Sequence, residues 1–202
     1  MMHLALHAVR LLGFADTPAV AQRFDLPQQA VEDALKDAEA EGWTTRSTFA
    51  GTSGWSLTDA GRAENERRLA VELGNPDAVR DVYADFLPLN AVLQQACTDW
   101  QLRPTPTDPL AANDHSDPAW DAGVLHELEV LDTALAPITA RLTSVLPRFR
   151  GYDTRFSTAL ARATAGDTSW VDRSDVDSCH RVWFELHEDL LATLNLYRGN
   201  EI

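Results

Sequence analysis

The stretch "DLPQQAVEDALKDAEAEGW", residues 25–43, sets one lysine among six carboxylates, in a run with the length and period of an amphipathic helix. Pro27 suits the opening of that helix, where a missing N–H costs nothing. Val31, Ala34, Leu35 and Ala38 recur every three or four residues and share one face, and Gly42 ends the run. Toward the N-terminus, "TPAVAQRF" (17–24) predicts a short preceding helix with Thr17 as its cap and Pro18 at its first position. Before it, Leu4, Ala8, Leu11 and Leu12 of "LHAVRLLGFADTP" fall on one side of another helix that stops at Gly13. Toward the C-terminus the period changes. "WTTRSTFAGTSGWSLT" (43–58) is rich in Thr, Ser and Trp, and reads as two short strands around a flexible tip containing Gly51 and Gly54. "LTDAGR" (57–62) then restarts a helix, with Thr58 as cap and 63–73 continuing it.

Helix, helix, turn, helix, two-stranded wing, helix is the order of a winged helix-turn-helix. The segment "AVAQRFDLPQQAVEDALKDAEAEGW", followed by a Gly-containing hairpin and "LTDAGR", resembles the DNA-binding domain of MarR-type and related winged-helix transcriptional regulators. The likeness spans roughly residues 3–72. Its marks are the "LxxAEAEGW" ending taken together with "LTxxGR". The resemblance implies that the helix from Pro27 to Glu41 enters the major groove and that the hairpin from Arg46 to Trp55 reaches a neighbouring minor groove. The rest of the chain is more similar to the C-terminal half of actinobacterial transcriptional regulators than to a MarR-type chain.

Position along the helix decides which of its polar residues meet bases. The N-terminal part of a recognition helix makes most base contacts, which points to Gln28, Gln29, Glu32, Asp33 and Lys36. Glutamine can bond adenine through two contacts, and a carboxylate can accept from cytosine N4. Asp37, Glu39 and Glu41 lie farther along. Arg23, Lys36, Arg46 and Arg62 are the candidate phosphate contacts. Readers of this type commonly carry Ser, Thr or Arg where Glu32 and Asp33 stand, so a winged helix turned to protein contacts is the competing expectation.

The whole chain has 17 basic and 31 acidic residues; positions 1–70 hold 7 and 10 of them, so the acidity is concentrated in the C-terminal part. Phosphate neutralisation drives nonspecific DNA binding, so the few cations must be gathered on one surface if DNA is the partner. The hydrophobic fraction of 45%, with six Trp and seven Phe, predicts a folded globular protein of 202 residues. Two domains are expected, a winged-helix domain at 1–73 and an all-α helical bundle at 74–202, giving a mainly α protein. Neither a membrane span nor a secretory signal is read, so the expected location is the cytoplasm. Cys97 and Cys179 suit buried free thiols. Nucleophile-elbow, phosphate-loop, His-Glu-x-x-His and Cys-x-x-Cys motifs are missing, and no enzymatic activity is expected.

Beyond Gly74, Val79, Val82, Phe86, Leu89, Leu93, Ala96 and Trp100 form one helical seam. Val124, Leu128, Leu131, Leu135, Ile138, Leu142 and Val145 form a second, and Val176, Cys179, Trp183, Leu186 and Leu190 a third. Tyr152, Phe156, Ala159 and Ala163 mark a fourth helix before Gly166. Pro88 and Pro137 are expected to kink or break the first two and open space between helices. "RPTPTDPLAANDHSDPAW" (103–120) reads as a long polar loop; Asp114, His115 and Asp117 lie in it without fixed metal-ligand spacing. In the last helix His180, Phe184, His187, Leu191 and Leu194 form an extra seam. The histidines are read either as satisfied by carboxylates such as Glu129 or Glu185, with His126 joining across the bundle, or as ligand contacts. On the second reading Trp100, His126, Tyr152, His180, Trp183 and His187 line a site for a small-molecule effector. No metal and no cofactor is expected, and a homodimer on double-stranded DNA is the expected assembly.

Overall fold

A computed structural model describes residues 1–49 and 51–196. Ala50, at the tip of the expected wing, and residues 197–202 of the expected helical domain lie outside the described residues. The protein is mainly helical with one small antiparallel sheet. It divides into two compact units. One comprises Met1–Pro76 together with the chain from Glu188, and the other Asp77–His187.

The first unit begins with α1 (Met2–Leu12), α2 (Thr17–Arg23) and α3 (Gln28–Ala40). Asp16, not Thr17, caps α2. Its extended backbone leaves the carboxylate to accept from the Ala19 N–H at 2.9 Å, while Thr17 enters the first turn and faces inward. Pro27 precedes α3, which buries Val31, Ala34, Leu35 and Ala38 and no others. β1 (Thr44–Phe49) and β2 (Thr52–Leu57) pair antiparallel, Arg46 opposite Trp55 and Phe49 opposite Thr52. Gly51, at φ 82°, is the tip glycine. Gly54 instead lies within β2, because the ring of Phe14 crosses it so closely that a Cβ would stand 2.7 Å away.

Thr58 caps α4 (Asp59–Leu73), accepting from the Gly61 N–H at 3.0 Å. Gly61 is required there, since a Cβ would overlap the Trp43 carbonyl oxygen at 1.8 Å. Ala5, Val9, Val20, Val31, Leu35 and Trp55 form the centre of this unit's core. The returning chain supplies a polar layer. Asp189, fully buried, stands 2.9 Å from His7 Nε2, and Glu188 accepts from Arg10 Nε at 2.8 Å.

In the second unit α5 (Asp77–Gln101) packs along α6 (Pro118–Val145), and α7 (Tyr152–Thr164) packs on α6. The first two seams are buried as expected except Leu89 and Val145, which are half-buried. Neither proline breaks its helix. α5 runs 25 residues through Pro88 and α6 runs 28 through Pro137. Burial of apolar residues on both sides of each proline outweighs the hydrogen bond it removes. A one-turn 3-10 helix (Pro147–Phe149) and the short α8 (Ser169–Asp172) had no counterpart in the sequence pattern.

The last helix, α9 (Cys179–Leu194), starts later than the Val176 seam requires. Ser178 caps it, its Oγ accepting from the Arg181 N–H at 3.2 Å, and Val176 lies in the preceding turn. α9 passes from the second unit into the first at His187/Glu188. Cys97 and Cys179 are buried free thiols, and burial pushes both up to about 12. Among the described residues no helix is long and apolar enough to cross a membrane.

Candidate functional site

The exposed side of α3 carries Gln28, Gln29, Asp33 and Lys36, with Arg46 of β1 beside it. Gln29 donates to Asp33 at 3.0 Å, one turn apart, so two of the expected base-reading residues are tied to each other in the free protein. Glu32 behaves differently from its neighbours. It is three-quarters buried and accepts from the Thr17 hydroxyl, which itself accepts from Trp55 Nε1 at 3.0 Å. The series Trp55, Thr17, Glu32 thus joins β2, α2 and α3. The Thr17 hydrogen bond, then Lys36 and Arg46, hold the Glu32 carboxyl below its usual range against the opposing effect of burial.

That arrangement also sets the charge of the face. Lys36 Nζ is 3.4 Å and Arg46 Nη1 3.9 Å from the same Glu32 oxygen, so both cations lean on one carboxylate. Arg46 also lies over the Trp55 ring, 5.4 Å from its centroid, and its backbone N–H donates to Glu39 at 3.3 Å. Residues 28–57 carry five carboxylates and two cations. Of the remaining expected phosphate contacts, Arg62 is exposed, and Arg23 is half-buried with its guanidinium 4.7 Å over Phe24.

In the second unit the expected ligand residues do not gather. Trp100, Tyr152 and Trp183 are core side chains. Trp183 stacks on Phe86 at 5.1 Å and donates to Asn90 at 3.1 Å, while Tyr152 donates to the Glu185 carbonyl at 3.3 Å. His187 is buried against Tyr83 and Phe86. His180 and Phe184 form no buried seam; both are exposed, with rings 6.4 Å apart, because α9 turns this edge to the surface. His126 does not join His180 or His187. Its side chain is 72% exposed and lies 3.5 Å from Glu129.

Glu185, expected beside a histidine, is instead bonded by two arginines. Arg155 Nη2 donates to it at 2.8 Å and Arg181 Nε at 3.3 Å, and Arg155 Nε also donates to Asp177 at 2.8 Å. Burial opposes the Arg155 charge, yet the two carboxylates outweigh it and hold its pKa above the ordinary value. The i, i+4 spacing of Arg181 and Glu185 was visible in the sequence; nothing local marked Arg155.

The loop residues separate in the same way. Asp117 caps α6, accepting from Ala119 and Trp120 N–H groups, Asp114 accepts from Ser116, and His115 stands 3.0 Å from Asp121. Among the described residues, no group of three His, Cys, Asp or Glu side chains could hold a metal ion. No family model, curated protein or solved structure significantly matches the chain.

Proposed function

We propose that the protein is a DNA-binding transcriptional regulator whose first unit is a winged helix-turn-helix of the MarR-like type. The observation that carries the reading is the presentation of α3. Four apolar residues anchor it, a short turn through Asp25 at φ 50° joins it to α2, and its N-terminal polar residues stand exposed beside Arg46 of the hairpin. In the complex, α3 lies in the major groove and the hairpin against the flanking backbone. Gln28, Gln29 and Asp33 face bases. Lys36, Arg46 and Arg62 face phosphates. Glu32 braces Lys36 and Arg46 and is not itself a base contact, which removes one of the two acidic objections to this helix. Two-fold sites call for a homodimer, and the second unit serves as its dimerisation or effector domain.

Selection of bound duplexes from a random-sequence pool, followed by affinity measured against salt, tests the proposal. An enriched sequence and a linear loss of affinity with log salt are expected. Arg46→Ala lowers the slope by about 0.9, and Gln29→Ala relaxes preference at one base pair. The absence of both enrichment and salt dependence would overturn it. One observation favours a second reading, a contact surface for a basic protein partner: the excess of carboxylates over cations across α3 and the hairpin.

A further inference from the structure

The second unit has an open groove of about 550 Å³ along α5 and α6, within the range of small-molecule sites. None of the residues expected to contact a ligand lines it. Its apolar surface comes from Val92 and Ala96 of α5 and Trp120 and Val124 of α6. Val92 is 38% exposed, well above its neighbours in the buried seam. Trp120 is fixed in place, because its Nε1 donates to the Asp99 carbonyl at 2.7 Å, which leaves the indole ring as a preset wall. Gly123 opens the groove further; a Cβ built there meets nothing within 4 Å.

Two carboxylates, Asp99 and Glu127, complete the lining, and no Lys, Arg or His contributes to it. Asp99 is oriented by Gln95, whose Nε2 donates to Asp99 Oδ1 at 2.8 Å. An aromatic face with two carboxylates and no cation attracts positive charge through the ring quadrupole and by direct Coulomb attraction. The apolar floor requires that the charge be carried on an apolar body. We infer that this groove binds an organic cation with an apolar or aromatic body, seated on Trp120 and held by Asp99 and Glu127. An anion of the same shape meets two like charges. A neutral analogue keeps the apolar contacts alone. The inference stands independently of DNA binding by the first unit.

Tetraphenylphosphonium and tetraphenylborate share a shape and differ in the sign of charge, so calorimetric titration of the full chain with each separates charge recognition from apolar sticking. Saturable one-to-one binding of the phosphonium is expected, with the borate weaker by about tenfold or more. Gly123→Leu fills the groove on an exposed helical position where leucine is the better helix former, so melting temperature should hold or rise while phosphonium affinity falls by about tenfold or more. The double variant Asp99→Asn with Glu127→Gln should bring the two ions toward equal affinity. Equal affinity for both ions in the original chain would overturn the inference, as would phosphonium binding that Gly123→Leu leaves unchanged. Self-association abolished by Gly123→Leu, with neither ion bound, would overturn it in favour of an interface between copies.

Discussion

α3 and α9 are built from similar materials and end in opposite environments. Each has apolar residues at three- and four-residue intervals and several charged side chains between them. α3 buries four residues of 13, while α9, over 16 residues, leaves only His180 and Phe184 exposed. Glu32, Asp33, Lys36 and Glu39 of α3 are partnered within the helix or by the neighbouring α2 and β1. Three carboxylates of α9 meet groups far away in the chain: Asp189 meets His7 across 182 residues, Glu188 meets Arg10 across 178, and Glu185 meets Arg155 across 30 as well as Arg181 within the helix. A charged residue at helical spacing is therefore no guide to burial until its partner is known. The desolvation that keeps such residues on surfaces is offset only where a hydrogen-bonded counter-charge is supplied.

This contrast can be broken most severely at α9. Asp189→Ala leaves His7 in a fully buried site without its carboxylate, and should lower stability by about 3 to 5 kcal/mol in chemical denaturation. A loss below 1 kcal/mol would mean that the buried pair is not what holds α1 to the end of the chain. Arg155→Met comes next. Glu185, only 2% exposed, retains Arg181, so the expected loss is smaller, about 2 to 3 kcal/mol.

On the α3 side, Thr17→Val cuts the series from Trp55 to Glu32 and should cost about 1 to 2 kcal/mol. Its pH dependence sharpens the assignment. The folded pKa of Glu32 is depressed below 4.5, so the stabilisation it provides is complete above that value and disappears as pH falls through the folded pKa. The gap between wild type and Thr17→Val should therefore narrow from pH 6 to pH 3 in thermal unfolding. A remainder persists, because the Trp55 contact does not titrate. The smallest effect belongs to Asp33→Ala, an exposed change expected to stay within about 0.5 kcal/mol of wild type in the same assay.

The first unit was legible because its signals are local. The caps, the Pro27 start, the Gly51 tip and the Thr58-to-Gly61 turn each act within a few residues, and the observed bounds fall close to the expected ones. The cap of α2 falls one position before the expected one because Asp16 and Thr17 are both good caps, and only the inward pull of Trp55 on Thr17 decides between them. The sequence places Gly54 in the tip because its actual constraint, the Phe14 ring, lies 40 positions away.

The second unit was legible as helices and seams but not as a site. Histidine and tryptophan types suggested a ligand cluster around Trp183 and His187, where the structure has core packing. The α5–α6 groove gave no such signal. Its lining combines Trp120 with small residues, one glycine and two ordinary carboxylates, each unremarkable in its own helix and significant only once the two helices lie together.

The return of the final helix into the first unit sets an order on biosynthesis. Asp189 is made 182 residues after His7 and Glu188 178 residues after Arg10, so the first unit cannot complete its buried polar layer until α9 has been made. A product terminated before α9, even one with every residue of α3 and the hairpin, lacks that layer and exposes an unfinished core to proteases. Synthesis of α9 thereby becomes a condition for a stable first unit.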